Sequence, residues 1–320
     1  MEPLVSVVVP TYQHAAFIRQ CLDSILMQKT NFNFEIILGE DESIDGTRDI
    51  CIEYSNKYPD KIRLFLRSRK DVIFINGRAT GRYNFINCLK EANGKYIALC
   101  EGDDYWTDPL KLQKQVDFLE ANEDFSICFH NANIVDNNNQ FIKLFHQNPV
   151  KEITDFMDLI SENWYIPTAS MVFKRSSIDK LPHWFTEVFN GDYALQLILT
   201  SEGQKIGYLA DIMGAYRIHG GGISNSLKTP VDRNNFLIAI FKNIRLYANH
   251  KYQKNVNDRI SSLYLLKIYN SKKYSLSFFK AFYYYIKFKK TFTCSEVSNI
   301  FRNIVLPAKL CEKLFVKKDN

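Results

Sequence analysis

Short apolar segments alternate with amphipathic segments over the first 130 residues. Four segments of about five residues are rich in β-branched and aromatic side chains, as strands buried on both faces are. They are 5–9, 34–38, 62–66 and 96–100. Helices are predicted between them at 17–26, 47–58 and 81–92. This alternation with short links predicts an α/β domain with a mostly parallel sheet.

The pattern is more mixed after residue 125 and changes near residue 226. Strands are expected at 125–130, 169–173 and 206–209, and a helix at 192–200. Beyond a run of three glycines the chain becomes poor in glycine and rich in Lys, Tyr, Phe and Asn, with helical periodicity. We therefore predict one α/β domain over residues 1–226 and a basic, aromatic-rich helical region over residues 227–320.

The composition is that of an ordered globular protein, with 46% hydrophobic and 24% charged residues. The seven cysteines are scattered without a C-x-x-C pair, so neither a zinc site nor a disulfide framework is supported. No signal-peptide pattern and no run of about 18 to 20 apolar residues occurs. We expect a cytoplasmic protein with reduced thiols.

The net charge of +6 is concentrated in the C-terminal region. Residues 231–320 hold 18 Lys/Arg and 5 Asp/Glu. Their segment SLSFFKAFYYYIKFKKTF mixes aromatic residues with lysines, which favours a helix on an anionic membrane surface. The charge alone favours an anionic partner, either membrane lipid or nucleic acid. The family resemblance described below implies peripheral contact with the inner face of the cytoplasmic membrane and no nucleic-acid partner. The alternative is a helical domain packed on the α/β domain, with a solvated basic face.

Two acidic clusters each follow a predicted strand. The sequence EDESIDGT (residues 40–47) comes after the strand 34–38, and EGDD (residues 101–104) comes after the strand 96–100. The carboxyl ends of parallel strands open on one edge of a sheet, where α/β proteins bind their ligands. Both clusters are therefore expected at one cleft.

Helix capping explains only some of these carboxylates. Asp45 is expected to cap the helix at Thr47, and Asp108 is expected to cap the helix that follows residue 108. Capping leaves Asp103 and Asp104 unexplained. Carboxylate oxygens at a strand end suit Mg²⁺ or Mn²⁺, so this pair is predicted to bind a divalent cation.

Phosphate-binding glycine loops are absent from the sequence. Neither G-x-x-x-x-G-K-[ST] nor a G-x-G-x-x-G after a strand occurs, which disfavours a P-loop enzyme and a dinucleotide oxidoreductase. Tyr12 follows the first strand, so its ring is expected at the edge where the acidic clusters lie. Stacking on a nucleotide base is one role for such a ring, and packing in the core is the other.

Five segments carry a resemblance in order and spacing: VSVVVPTYQHAAFIRQCLDSILMQ, FEIILGEDESIDGT, GRATGRYNFINCLKEANGKYIALCEGDDYW, NGDYAL and YRIHGGGIS. Together they resemble the family 2 inverting glycosyltransferases of bacterial surface-glycan pathways, over about residues 4–226. The resemblance implies a GT-A fold, which is a Rossmann-like sheet flanked by helices.

The resemblance also implies six contacts with a nucleotide: Pro10, Thr11, Tyr12, Glu40, Asp41 and Arg82. The first three would line the base pocket. Asp41 matches the aspartate that reads the base, and Glu40 stands where the family usually has a second aspartate. Arg82 matches an arginine near the nucleotide.

The same resemblance implies the metal site and the catalytic base. Asp103 and Asp104 match a D-x-D-like motif for Mn²⁺ or Mg²⁺, with Asp104 as the direct ligand. His219, in Tyr-Arg-x-His, matches a residue close to the diphosphate and the metal. Asp192 matches the catalytic base, and the N-cap of the helix 192–200 is its other interpretation. Glu101 replaces an aspartate of the motif, and its role stays open.

The expected reaction is the inverting transfer of one sugar from a nucleotide-diphosphate sugar, UDP-linked, to a glycan or lipid-linked glycan acceptor. The processive Q-x-x-R-W motif is absent, which favours single addition. The alternatives are a nucleotidyltransferase and a non-catalytic glycan- or lipid-binding protein of the same fold. A nucleotidyltransferase would need a basic residue that contacts phosphates in an early loop, and none occurs between Pro10 and Arg19. A non-catalytic binding protein would not need Asp103, Asp104 and Asp192 together, so the presence of all three disfavours this alternative.

Overall fold

The computed structural model describes residues 2–162, 165–178, 181–221, 230–270 and 275–289. These residues divide into two compact units. The first contains the described residues up to 221 together with Tyr247–Asn249, and the second contains the remainder of the C-terminal helices. None of the described helices has the length and apolar character that crossing a bilayer requires.

A ten-stranded sheet forms the centre of the first unit, and a short hairpin lies apart from it. In chain order the strands are β1 (Val5–Thr11), β2 (Phe34–Glu40), β3 (Ile62–Leu66), β4 (Ile73–Ile75), β5 (Arg78–Thr80), β6 (Tyr96–Leu99), β7 (Tyr105–Trp106), β8 (Phe125–Val135), β9 (Phe141–Leu144), β10 (Ile153–Thr154), β11 (Val172–Lys174) and β12 (Lys205–Arg217). The sheet runs β10-β12-β8-β11-β6-β1-β2-β3, with β7 beside β12 and β9 beside β8. The hairpin is formed by β4 and β5.

Helices cover this sheet and build the second unit. Those that begin in the first unit are α1 (Ile18–Leu26), α2 (Thr47–Lys57), α3 (Arg82–Glu91), α4 (Lys111–Ala121), α5 (Phe156–Glu162) and α6 (Gly191–Thr200). The C-terminal helices are α7 (Pro230–Tyr247), α8 (Gln253–Tyr269) and α9 (Leu276–Phe288). The helix α1 shows why a helix forms there, because Ile18, Cys21, Leu22 and Ile25 bury one face against the sheet.

The α/β class predicted from the sequence is confirmed. The strands β3, β2, β1 and β6 are parallel neighbours, joined by crossovers that contain α1, α2 and α3. The strand β11 then pairs antiparallel with both β6 and β8, so the sheet is mixed beyond β6. Buried apolar side chains of β1, β2 and β6 form the main core with α1 and α4.

The predicted role of Asp108 as a helix cap is wrong. Helix α4 begins at Lys111, and the Asp108 carboxylate instead accepts a hydrogen bond from the Leu110 N–H at 2.8 Å. Asp108 therefore closes a turn that precedes the helix, because its short side chain reaches the backbone two residues on. Asp45 does accept from the Thr47 N–H, at 3.0 Å, at the start of α2.

The position of β1 between β2 and β6 brings the two acidic clusters together. Thr11, the last residue of β1, pairs with Glu40 at the end of β2. Hydrogen bonding continues beyond the strands: the Gly102 N–H donates to the Pro10 carbonyl and the Asp41 N–H donates to the Thr11 carbonyl, both at 3.1 Å. The two clusters therefore flank the exit of β1 at the carboxyl edge of the sheet, as the sequence predicts.

Candidate active site

The β6 loop, residues 101–104, holds carboxylates that no Lys or Arg side chain of the described chain neutralises. Asp104 is 1% exposed. Its Oδ1 accepts a hydrogen bond from the Arg217 backbone N–H at 2.8 Å. Its Oδ2 is buried and has no hydrogen-bond partner among the described residues. Burial and the charges of Asp103 and Glu101 raise the pKa of Asp104 well above its usual value. Burial and nearby charges raise the pKa of Glu101 to about 8. Such a group of carboxylates favours binding of a cation.

Two histidines approach the same loop. Asp103 Oδ2 accepts a hydrogen bond from His219 Nε2 at 2.9 Å and lies 3.8 Å from His14 Nε2. The described residues contain two sets of possible ligand atoms, and the atoms of each set lie within 4.8 Å of one another. One set is His14, Asp103 and His219, and the other is Glu101, Asp103 and Asp104. Asp103 belongs to both sets. Carboxylate and imidazole donors at these distances fit a divalent metal ion.

Arg217, the last residue of β12, fixes the shape of the β6 loop. Its Nε–H donates to the Asp103 carbonyl at 2.8 Å, and its Nη2 donates to Gln20 Oε1 at 2.8 Å. The guanidinium group also lies over the Phe17 ring, 4.5 Å from the centroid. These contacts connect β12 and α1 with the β6 loop, and they bring His219 close to Asp103.

The β2 loop, residues 40–47, differs because arginines pair with its first two carboxylates. The fully buried Glu40 forms an ion pair with Arg48 and accepts from the Ser43 N–H at 2.6 Å. Asp41 Oδ2 accepts from Arg69 Nη1 at 2.8 Å. Burial raises the pKa of Asp41 to about 6, and the charge of Arg69 opposes that rise.

The residues expected at a nucleotide base contribute in different ways. Tyr12 is exposed, and the Arg69 guanidinium lies 4.1 Å from its ring centroid. Tyr12, Arg69 and Asp41 therefore form one cluster that offers a flat ring and a carboxylate. Pro10 and Thr11 bind the two acidic loops through their carbonyl groups.

Asp192 lies in the first turn of α6. The N-cap of this helix is Asn190, so the interpretation of Asp192 as the cap is wrong. Asp192 Oδ1 accepts from the Tyr193 N–H at 2.8 Å, and Oδ2 lies 3.5 Å from the Thr168 hydroxyl. Burial raises the pKa of Asp192. Its charge in turn contributes to the raised pKa of Glu101, so Asp192 and the β6 loop interact electrostatically.

Arg82 contacts the segment that leads into α6. Its guanidinium donates to three backbone carbonyls of residues 185–189 at 3.0–3.1 Å. A Cβ atom at residue 191 would lie 2.2 Å from this guanidinium, so Gly191 permits the contact. Burial lowers the pKa of Arg82 to about 10, and Asp192 opposes that change. These contacts position Asp192, and a contact of Arg82 with the nucleotide stays a prediction.

The sequence matches the family model described as Glycosyl transferase family 2 over residues 6–181, which is more than half of the chain. The chain belongs to glycosyl transferase family 2. The match covers β1 to β11, including both acidic loops. The recognition of the family from the five sequence segments is thus confirmed, and the family is one of glycosyltransferases.

Curated relatives of this chain come from several organisms. An uncharacterized protein of Mycobacterium tuberculosis is 34% identical over 232 residues, which are 72% of this chain and 63% of that protein. The chain therefore spans less than two thirds of the length of that relative. The Escherichia coli protein named UDP-Glc:alpha-D-GlcNAc-diphosphoundecaprenol beta-1,3-glucosyltransferase WfaP is 30% identical over 250 residues, 78% of this chain and 89% of WfaP.

Solved structures of GT-A glycosyltransferases share the fold. S. aureus TarS in complex with UDP-GlcNAc is similar with a TM-score of 0.62 and 18% identity, covering 90% of this chain and 81% of TarS. The mannosyltransferase PcManGT of Pyrobaculum calidifontis, in complex with GDP-Man and Mn²⁺, gives a TM-score of 0.58 at 16% identity, covering 94% and 79%. The GT-A fold expected from the sequence is confirmed at this level of similarity.

Two residues of the site were not singled out by the sequence. Arg69 joins Asp41 to Tyr12, but it lies between β3 and the hairpin and no local pattern marks it. His14 approaches Asp103, and its place just after the first strand is the signal that could have identified it. Both roles depend on contacts between distant parts of the chain.

Proposed function

We propose that this glycosyltransferase transfers one sugar, with inversion at the anomeric carbon, from a UDP-linked donor to a hydroxyl group of a glycan or lipid-linked glycan acceptor. The observation that carries the proposal is the β6 loop. Its carboxylates converge without a Lys or Arg partner in the described chain, and the charge of Asp192 is one cause of the raised pKa of Glu101.

UDP is the proposed nucleotide because of the relatives. WfaP is named for UDP-Glc, and TarS was solved with UDP-GlcNAc, whereas PcManGT was solved with GDP-Man. In this chain the Tyr12 ring would stack on the base and Asp41 would accept a hydrogen bond from it. Arg69 holds both groups in place before the donor binds.

Asp103, Asp104 and His219 would hold a divalent cation, Mn²⁺ or Mg²⁺. The buried Oδ2 of Asp104, without a hydrogen-bond partner in the described residues, fits a ligand to such an ion. When bound, the cation supplies Lewis-acid stabilisation of the charge that builds on the leaving diphosphate. Arg217 keeps the loop in the required shape through the Asp104 carboxylate and the Asp103 carbonyl.

Asp192 is the proposed general base. Its carboxylate would take the proton from the acceptor hydroxyl as that oxygen attacks on the face opposite to the leaving group. Burial raises the pKa of Asp192, which makes the carboxylate a better proton acceptor. Arg82 fixes the segment before α6, and the Thr168 hydroxyl lies beside Asp192 Oδ2.

A lipid-linked acceptor is proposed because WfaP is named for a diphosphoundecaprenol substrate. In the second unit, α9 exposes Leu276, Phe279, Tyr283 and Ile286 on one face, and Lys280 and Lys287 are exposed beside them. This face suits an anionic membrane surface, on the cytoplasmic side of the membrane. Vesicles with phosphatidylglycerol should bind the chain, and Lys280→Glu with Lys287→Glu should release it. Unchanged binding would contradict the membrane contact.

The function is tested with Asp192→Asn. Nucleotide sugars are supplied with Mn²⁺ and a lipid-diphosphate-linked sugar, and released UDP is measured. We expect the variant to lose roughly 10²- to 10⁴-fold in turnover, as expected for a general base. Donor affinity by calorimetry should stay within about threefold, because the base contacts the acceptor. The exposed Asp117→Asn is the matched control.

Two outcomes would contradict this proposal. Equal loss of donor affinity and turnover in Asp192→Asn would refute a base role. Release of pyrophosphate from a nucleoside triphosphate, without release of UDP from any nucleotide sugar, would indicate a nucleotidyltransferase instead.

A further inference from the structure

His14, in the segment between β1 and α1, directs its Nε2 atom towards the β6 loop. This atom lies 3.8 Å from Asp103 Oδ2, the oxygen that also accepts from His219 Nε2 at 2.9 Å. A separation of 3.8 Å is too long for a hydrogen bond. Two ligands of one ion lie about 3.0–3.5 Å apart when each is about 2.1 Å from the ion. A small side-chain movement therefore places His14 within coordination distance of an ion at Asp103.

The orientation of the His14 ring is fixed by its other nitrogen. Nδ1 lies 3.2 Å from the Thr11 hydroxyl, within hydrogen-bond distance. Histidines that bind metals almost always use their second ring nitrogen in such a hydrogen bond, which sets the direction of the ligating nitrogen. Thr11 thus supplies the support that a ligating His14 requires.

The backbone that carries His14 is held by the β2 loop. The successive N–H groups of residues 13–15 donate to side-chain oxygens of that loop at 2.8–3.0 Å. Gln13 has a φ of 58°, a left-handed conformation that is unfavourable for a residue with a side chain. Such strain persists where the surroundings hold the backbone in place, and it is common at functional sites.

The β6 loop is shaped to admit this imidazole. A Cβ atom at residue 102 would lie 2.9 Å from His14 Nδ1 and 2.4 Å from the Thr11 hydroxyl oxygen. Gly102 is therefore required between Glu101 and Asp103 for His14 and Thr11 to pack against the loop. Close packing of this kind keeps the imidazole at the carboxylates.

We propose that His14 Nε2 is a direct ligand of the divalent cation bound by Asp103, and that His14 and His219 together give the site a preference for Mn²⁺ over Mg²⁺. Imidazole is a good ligand for transition metals, whereas Mg²⁺ strongly prefers oxygen. The inference rests on the proposed function for the presence of a cation and adds a nitrogen ligand to it.

The test uses the full chain with Mn²⁺ alone and with Mn²⁺ plus UDP. His14→Asn places an amide near the position of Nδ1, so the contact with Thr11 is kept while Nε2 is removed. Binding is measured by the loss of the free Mn²⁺ electron paramagnetic resonance signal. Electron spin echo modulation counts the imidazole nitrogens on the bound ion. His250→Asn, at an exposed position of the second unit, is the matched control, and thermal unfolding without metal checks the fold of each variant.

We expect His14→Asn to bind Mn²⁺ at least about tenfold more weakly and to lose one of two imidazole couplings. Mg²⁺ affinity, measured by competition, should change less than about threefold, so the preference for Mn²⁺ falls. His250→Asn should behave as the wild type. Equal affinity and equal nitrogen couplings in His14→Asn and wild type would overturn the assignment of His14. Absence of Mn²⁺ binding in the wild type would also overturn it, whereas absence of UDP release from every donor would refute the proposed transfer reaction.

Discussion

The two acidic loops flank the same strand but neutralise their charge in different ways. In the β2 loop, Glu40 pairs with Arg48 and Asp41 pairs with Arg69. In the β6 loop, Asp103 contacts imidazoles, and neither Lys nor Arg side chains reach its carboxylates within the described residues. A carboxylate with an arginine partner needs no metal, while clustered carboxylates without one favour a bound cation.

The difference indicates a division of labour at the carboxyl edge of the sheet. The arginines make the β2 loop a preformed surface for a neutral base, with Tyr12 and Asp41 held by Arg69. The carboxylates of the β6 loop repel one another, and a divalent ion shared with the donor diphosphate would offset that repulsion. Proximity of carboxylates to a strand end is therefore not enough to identify a metal site, and their partners decide it.

Among the variants that test the difference between the two loops, the largest effect is expected for Asp104→Asn in the β6 loop. Transfer should fall roughly 10²- to 10³-fold, because one electrostatic contributor to the reaction is lost. The metal-free protein should become more stable, because a buried carboxylate without a partner for Oδ2 is replaced by a neutral amide. Steady-state kinetics and denaturant unfolding measure the two effects. Reduced stability of Asp104→Asn together with full activity would contradict the proposed difference between the two loops.

The next effect concerns Lys111, the fully buried lysine that follows the β6 loop. Its Nζ donates to Gln115 Oε1 at 2.7 Å and lies 4.0 Å from the Trp106 ring centroid, so it does not neutralise the loop. Burial lowers the pKa of Lys111 to about 7, against about 10.4 in the unfolded chain. At Lys111 the unfolded state therefore binds more protons between pH 7 and pH 10, so the contribution of this residue to stability rises with pH over that range.

Lys111→Met should remove this pH dependence. At pH 7 the variant should be more stable by roughly 2–4 kcal/mol, after allowance for the lost contacts with Gln115 and Trp106. The gain should shrink towards zero as the pH approaches 10. Urea unfolding at pH 7, 8, 9 and 10 measures it, and Mn²⁺ affinity should be unchanged. A loss of Mn²⁺ binding would mean that Lys111 does support the β6 loop.

The smallest effect is expected for Glu40→Gln in the β2 loop. The amide keeps an oxygen for the Ser43 N–H but loses the ion pair with Arg48. Since Arg48 is partly exposed, the free energy of unfolding should fall by only about 1–2 kcal/mol. Its Mn²⁺ affinity should match that of the wild type. Weaker Mn²⁺ binding in this variant would show that both loops contribute to one metal site.

The sequence predicts the parallel half of the sheet closely, because burial on both faces leaves a local pattern. The strands at 34–38, 62–66 and 96–100 appear within two residues of their expected ends. The hairpin of β4 and β5 was missed, although Asn76-Gly77 directly after the apolar segment 73–75 is a turn signal. The start of α4 was misplaced because Asp108 forms a turn instead of a cap.

The site was predictable only where residue type and strand end coincide. Asp103 and Asp104 follow a buried strand, so chemistry and topology point to the same residues. The contacts of Arg82 with the segment 185–189 and of Arg69 with Asp41 involve residues far apart in sequence. Such contacts form only when the chain folds, so the hydrophobic periodicity of the sequence does not indicate them.

The central claim is that the β6 loop, and not the β2 loop, binds the divalent cation. Crystals of the full chain grown with Mn²⁺ and UDP, measured on both sides of the manganese absorption edge, test it directly. The account predicts one anomalous peak, about 2.1–2.3 Å from carboxylate oxygens of Asp103 and Asp104. A peak at Glu40 and Asp41, or bound UDP without any peak at the β6 loop, would contradict it.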